Sequence, residues 1–188
     1  MEKTTLEELA KMAKAAKGSI DRIYLHWTAG HYGSTFGDYH INITGAGDIY
    51  LSTDDLTEVL AHTWHRNTGA IGIALCCCVD ATINCDGTFA LGSEPPTDVQ
   101  IERAAQIIAV LADVLDLPID AEHVLTHAEV GDLDGYGPAK IGTEDFEKWD
   151  LWRLPDYDGE WREGGDVLRG KANWYLNGPN STCHPDRM

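Results

Sequence analysis

Three residues far apart in the chain carry the side chains best suited to chemistry: His26 in Leu-His-Trp-Thr, His127 in Leu-Thr-His-Ala, and Asp150 in Lys-Trp-Asp-Leu. Each falls where an expected strand ends, so that a rigid sheet can hold it in a fixed cleft. Two histidines and a carboxylate form the ligand set of an open catalytic zinc site, in which the fourth position is left to water or substrate. A lone histidine at such a place is more often structural, and these three are not gathered in a short signature such as His-Glu-x-x-His. Spacing alone leaves both readings open. Thiol chemistry is the weaker alternative. Cys76, Cys77, Cys78, Cys85 and Cys183 form an odd set with three adjacent members, a poor match to a disulfide framework, and small hydrophobes packed in a central strand explain the run.

The elements that must position these residues follow from periodicity. Residues 4–17 read as a helix, with Thr4 or Thr5 and Glu7 or Glu8 as a capping box and Leu6, Leu9, Ala13 and Ala16 as one stripe. Ile20–Trp27 and Asp38–Ile43 read as strands, and the Thr44–Asp48 turn leads into Ile49–Leu51 as a hairpin. The apolar run Ala70–Val79 reads as a strand buried on both faces. Thr97 and Gln100 cap a helix over 98–117 whose stripe is Val99, Ala104, Ile108, Leu111 and Leu115, and His123–His127 reads as a short strand. Strands alternating with helices imply an α/β architecture.

The order of these pieces resembles the zinc N-acetylmuramoyl-L-alanine amidases of the amidase-2 type, a superfamily that includes bacteriophage lysozyme-type amidases and peptidoglycan recognition proteins. The matching pieces are His26-Trp27-Thr28-Ala29-Gly30, Asp38-Tyr39-His40, Gly45–Tyr50, Ala61-His62, Asn67 before Ala70–Leu75, the 98–117 helix, Thr126-His127 and Lys148-Trp149-Asp150. They cover roughly residues 20–152. The resemblance implies a central mixed β-sheet flanked by helices, with zinc held by His26, His127 and Asp150. It implies hydrolysis of the amide between N-acetylmuramic acid and L-alanine, with Tyr39 and Lys148 stabilising the developing oxyanion. His62 and His65, near Trp64, and Asn67 are expected to line the cleft for the muramyl peptide. Core packing for Tyr39, a solvated ion pair for Lys148, and a turn role for Asn67 are the plainer readings of the same residues. His40 and His123 read as strand residues satisfied locally.

Two positions depart from the pattern. Ala74 stands where several members carry a glutamate base, leaving proton transfer to the activated water, to Tyr39 or to another carboxylate such as Glu129. His127 and Asp150 lie 23 positions apart, so an acidic insertion must loop out between them. Within it, Asp132 or Asp134 is an alternative third ligand, and Asp132–Gly135 faintly resembles the start of a calcium loop. Residues 128–166 hold twelve acids against four bases.

The 188 residues suit one domain: an amidase domain over 1–158 and a C-terminal extension over 159–188 of unknown role. A net charge of −17 opposes nucleic-acid binding. No apolar run approaches a membrane span, and no basic stretch precedes an apolar core at the start of the chain. The expectation is therefore a monomer acting on peptidoglycan after release, as a phage lysin or bacterial autolysin, or in cytoplasmic recycling. A binding module that recognises muramyl peptides without cutting them is the alternative.

Overall fold

β-branched and large apolar residues alternate with small ones in the run Ala-Ile-Gly-Ile-Ala-Leu, and this alternation organises the whole molecule. In the computed structural model, which describes residues 1–178, the elements run in chain order. They are β1 (Glu2–Thr4), α1 (Leu6–Ala16), β2 (Arg22–Trp27), β3 (Ile41–Ile43), β4 (Ile49–Leu51), β5 (Ala70–Leu75), β6 (Thr82–Ile83), β7 (Phe89–Ala90), α2 (Asp98–Leu115), β8 (Val124–Thr126), α3 (His127–Asp134), β9 (Arg153–Pro155), β10 (Trp161–Glu163) and α4 (Gly164–Asn177). Six strands form one mixed sheet in the order β1-β4-β3-β5-β2-β8. β2 runs parallel to β5 and β8, β3 parallel to β5, and β4 antiparallel to β3 and β1. The carboxyl ends of β2, β5 and β8 therefore share one edge, the usual place for a ligand site in such sheets.

Side chains alternate across the sheet. Ile23, Leu25 and Trp27 of β2 join Ile71, Ile73 and Leu75 of β5 in the main core, together with Leu9 and Ala13 of α1 and Ile101, Ala104 and Ile108 of α2. The opposite face carries Tyr24 and His26 of β2 beside Ala70, Gly72 and Ala74 of β5, all buried. Register places Asn42, Ala74 and His26 in one row across β3, β5 and β2. Large residues thus bind the helices while small ones leave room on the other side.

The capping boxes of α1 (Thr5, Glu8) and α2 (Thr97, Gln100) form as expected. Gln100 does more, because its buried amide also donates to the carbonyls of Ile43 (3.0 Å) and Cys76 (2.9 Å), tying the start of α2 to the ends of β3 and β5. Several expectations change. Val99 is 51% exposed, so the α2 stripe begins at Ile101. β5 stops at Leu75, and Cys76 to Cys78 leave the strand, with Cys78 at φ +68°, although all three remain buried. The second strand begins at Ile41, so Tyr39 sits in a bend and not on a strand face with Ile41 and Ile43. β1 has no sequence signal because it is a three-residue, largely exposed edge strand.

The acidic stretch folds instead of looping out. Thr126 caps α3 with Glu129 as its box partner, and Asp132 Oδ1 accepts from the Ala139 amide while Asp134 forms a two-bond pair with Arg66 (2.8 and 2.6 Å). That fragment is a helix end, not a calcium loop. Within the 159–188 segment, Gly164–Asn177 forms α4, which lies along α2 and inserts Val167, Leu168 and Ala172 into the main core. Periodicity hides this helix because glycines begin it and Arg169 points inward. The Arg169 guanidinium, 8% exposed, bonds both oxygens of Glu129 (3.0 and 2.7 Å) and the Val124 carbonyl (2.9 Å), joining α4, α3 and β8. Cys183 and the end of the segment lie outside the described residues.

Removing one member of such a buried charge cluster leaves the others desolvated and unpaired. Arg169→Ala is expected to lower unfolding free energy by about 3 kcal/mol, read from urea denaturation, with Arg169→Lys recovering less than half because a single ammonium cannot replace the fork.

Candidate metal centre and cleft

His26 lies near the end of β2 and His127 opens α3 directly after β8, so two strands deliver two imidazoles to the same edge. Asp150 arrives by a separate route. The Ala128 amide donates to the Asp150 carbonyl (3.2 Å), and Trp149 packs edge-on against Trp27 with ring centroids 4.6 Å apart. Leu151, fully buried, takes φ +56° to turn the chain back. Gly164 must be glycine here, since a β-carbon would lie 1.9 Å from the Leu151 carbonyl oxygen.

The result is a triangle of donor atoms: His26 Nδ1 to His127 Nδ1 is 3.1 Å, His127 Nδ1 to Asp150 Oδ2 is 3.2 Å, and His26 Nδ1 to Asp150 Oδ2 is 3.5 Å. Ligand atoms about 2.0–2.1 Å from a tetrahedral zinc lie about 3.3 Å apart. The donor set therefore fits zinc both in chemistry and in spacing. All three residues are buried. Burial lowers the His26 pKa to about 4, which keeps its imidazole neutral and able to ligate at physiological pH. Asp150 is pushed up by its own burial, but hydrogen bonds and charge from His127 and His26 prevail and hold it well below the usual carboxylate range. Thr63 Oγ lies 3.3 Å from His26 Nε2, so a hydroxyl on the far side of the ring fixes its orientation. Nothing in the sequence marks Thr63 for this role beyond its position after His62.

Tyr39 stands beside His26, centroids 5.0 Å apart. Its loop is held by Asn42, whose side chain accepts from the Phe36 amide (2.9 Å) and donates to the Phe36 carbonyl (3.0 Å). Burial, then the negative charges of Asp150 and Asp38, raise the Tyr39 pKa, so its hydroxyl keeps its proton. A cavity of about 570 Å³ reaches the triad at His127 and is lined besides by His62, Trp64, Asn67, Tyr136 and Lys148, whereas His26, Asp150 and Tyr39 lie outside its lining. His62, Asn67 and Lys148 are thus brought to the cleft. His65 is not: it lines a neighbouring cavity with Trp64, Arg66, Asp134 and Tyr136. Asn67 also serves its turn, accepting from the Thr63 amide (2.7 Å). The His62 ring lies flat on Gly72, where a β-carbon would meet Cγ at 2.6 Å, and its Nε2 has no hydrogen-bond partner among the described residues.

Other candidates find structural employment. His40 accepts from the Gly72 amide (3.0 Å) and donates to the Glu58 carbonyl (2.8 Å), while His123 Nδ1 lies 2.7 Å from Asp120. Glu129 is committed to its cap and to Arg169 and is not free to act as a base. Asp134 is committed to Arg66 and is not the third ligand. Burial raises the Cys76 thiol to about 12, and a hydrogen bond with Cys78 together with burial raises Cys77, which disfavours thiolate chemistry. Sequence reasoning missed Trp64 and Tyr136 as cleft residues, because neither sits in a periodic element.

A family profile described as N-acetylmuramoyl-L-alanine amidase, Amidase_2, matches residues 16–140, a span that contains both histidines and stops short of Asp150. Among solved structures, the chain is similar to the complex of tracheal cytotoxin with the ectodomains of peptidoglycan recognition proteins LCa and LCx. The identity is 15% and the TM-score 0.42, with 69% of this chain and 80% of that chain covered. No curated protein sequence matches.

His26→Ala, His127→Ala and Asp150→Ala are each expected to abolish stoichiometric zinc binding, measured by metal analysis after dialysis. Trp149→Ala, which loosens the support of Asp150, should weaken zinc affinity by about tenfold or more. A second expectation concerns the metal-free protein. Burial is the largest cause of the depressed values of His26, of His62 (to about 3) and of His40. The unfolded chain binds protons at these sites near pH 6.5 while the native chain does not. Their contribution to stability is complete above that pH and is lost below it, by about 1.4 kcal/mol per unit for His26 and for His62. The urea midpoint should fall steadily from pH 7 to pH 5, and a constant midpoint would contradict neutral burial.

Proposed function

The chain belongs to the N-acetylmuramoyl-L-alanine amidase family, Amidase_2, and on that premise we propose that it hydrolyses the amide joining the lactyl group of N-acetylmuramic acid to L-alanine in peptidoglycan, with zinc as its metal. The observation that carries this reading is the convergence of His26 Nδ1, His127 Nδ1 and Asp150 Oδ2 at 3.1 to 3.5 Å from one another, with His127 at the wall of an open cleft. When bound there, zinc supplies Lewis-acid activation of the amide carbonyl and of water.

The chain's own residues do the rest. Hydrolysis adds the water oxygen to the lactyl carbonyl carbon, breaks the C–N bond and leaves the alanine nitrogen protonated. Charge gathers on the carbonyl oxygen as the carbon becomes tetrahedral. Tyr39 meets that charge as a hydrogen-bond donor from its Oη, because its raised pKa keeps the proton in place. Lys148 brings an ammonium to the cleft wall beside His127. Ala74, in register with His26, carries no proton, so the duty of a carboxylate base at that place is absent from this chain. Position 74 is also the observation that favours the rival reading, a muramyl-peptide binder on the same fold. Zinc bound without turnover of a muramoyl peptide selects the rival.

The direct test is release of L-alanine amino termini from purified peptidoglycan, lost in Asp150→Ala and on chelation and restored by zinc. Tyr39→Phe is expected to lower kcat by about 10²-fold to 10³-fold with little change in zinc content. The charge of −17 repels walls bearing anionic polymers, so activity on intact walls should rise as ionic strength goes from ~0.01 to ~0.15 M. A monotonic loss over that range would contradict the charge argument.

A further inference from the structure

The hairpin between β5 and α2 lies outside the main sheet, and its strands are too short to stand alone. β6 and β7 are two residues each and pair only with one another, and an isolated two-stranded ribbon is marginal in water. Its neck is fixed instead by the ends of the main sheet. The pairing of β2 with β5 runs on past both strands, with the Thr28 amide donating to the Leu75 carbonyl (2.9 Å) and the Gly30 amide to the Cys77 carbonyl (3.1 Å). The Cys78 amide then donates to the Glu94 carbonyl (2.7 Å). Gly92, at φ +76°, comes so near Val79 that a β-carbon would lie 1.8 Å from its carbonyl oxygen. A neck closed in this way sets the direction in which the ribbon points.

It points at the stretch that carries Asp150. At the tip, a β-carbon on Gly142 would lie 2.9 Å from the Cys85 carbonyl oxygen, so the two backbones touch there. On β7, the half-buried Phe89 packs against the main core and sets its ring near three indoles, with centroid distances of 6.1 Å to Trp149, 5.9 Å to Trp152 and 5.5 Å to Trp161. Trp149 and Trp152 flank Asp150 and Leu151, and the Trp152 amide closes that turn by donating to the Trp149 carbonyl (2.9 Å). Trp149 therefore has ring contacts with both Trp27 of β2 and Phe89 of the hairpin. Tilted and edge-to-face aromatic pairs attract beyond the area they bury, and these pairs depend neither on a proton nor on a metal. Resting on the reading of His26, His127 and Asp150 as a metal triad, we propose that the β6–β7 hairpin holds the Asp150 turn in ligating position. Phe89 is its positioning residue, and the carboxylate is set in place before a cation arrives.

Zinc affinity and metal-free geometry test this separately. In competition titrations of the full chain against a chromophoric chelator, Phe89→Ala is expected to weaken zinc binding by about tenfold to 100-fold, and Phe89→Tyr to stay within about threefold of wild type. Phe89→Leu, which keeps apolar bulk without a flat ring, should fall between them and carries the test if the alanine variant does not fold. Leu115→Ala truncates the core at the end of α2 and controls for destabilisation alone, with zinc affinity expected within about threefold of wild type. With cobalt in place of zinc, Phe89→Ala should weaken the visible absorption of a four-coordinate ion, which lost stability by itself does not move, and Phe89→Tyr should restore it. Zinc affinity unchanged in Phe89→Ala, or lowered as much in Leu115→Ala, overturns the proposal. The metal-free crystal structure of Phe89→Ala gives the second readout: the 3.2 Å contact of His127 Nδ1 with Asp150 Oδ2 is expected to open, and its retention overturns the proposal. Wild-type protein that takes up no zinc overturns the metal reading instead, and the role of the hairpin is then decided by that contact.

Discussion

A carboxylate that must stay ionised while almost wholly removed from water is the constraint around which this molecule is arranged. Asp150 is 8% exposed, and an isolated charge in such a place would take up a proton. It is held below the usual carboxylate range by hydrogen bonds from His127 and His26, whose nitrogens face it at 3.2 and 3.5 Å. A divalent cation would take the place of the protons in those bonds and hold the same three atoms together. Folding the three together therefore builds the donor set that the proposed function assigns to a metal.

Meeting that requirement draws on elements far from it. The sheet supplies His26 and His127 at the ends of parallel neighbours, a placement that follows directly from β2 lying beside β8. Asp150 has no strand to carry it. Its place is secured by Trp149 wedged on Trp27, by the left-handed turn at Leu151, and by α3, which itself depends on Arg169 of α4 reaching Glu129. A guanidinium on the last described helix thus bears on the geometry of a ligand that precedes it by 19 positions. This helps explain why the acidic stretch is ordered in spite of its charge: Asp134, Asp156 and Glu129 pair with Arg66, Arg162 and Arg169.

The two faces of β5 show how a single alternation serves packing and chemistry at once. Ile71, Ile73 and Leu75 lock α2 onto the sheet, whereas Ala70, Gly72 and Ala74 keep the other face shallow enough for His62, Tyr39 and His26 to stand on it. Ala74 belongs to that shallow floor. In register with His26, it puts a methyl beside the candidate triad and no acid at that place.

Local chemistry in the chain was enough to determine α1 and α2, whose capping boxes and stripes are written in consecutive residues, the β3–β4 hairpin, and the buried character of β5. Order along the chain was enough to pair His26 and His127 with Asp150 as one candidate set, because those residues sit at strand ends or in recognisable fragments. Tertiary structure alone decided the rest. α4 escaped notice because its inward residue is an arginine, whose burial makes sense only once Glu129 and the Val124 carbonyl are in place. Tyr39 moved from a strand face to a bend because Asn42, two residues into β3, reaches back to hold Phe36. Trp64 and Tyr136 became walls of a cleft only when α3 and the 61–67 loop met through Arg66 and Asp134. Periodicity records what a residue's neighbours along the chain require of it, whereas a cleft is made by residues whose neighbours are distant, and that information exists only after the chain has closed on itself.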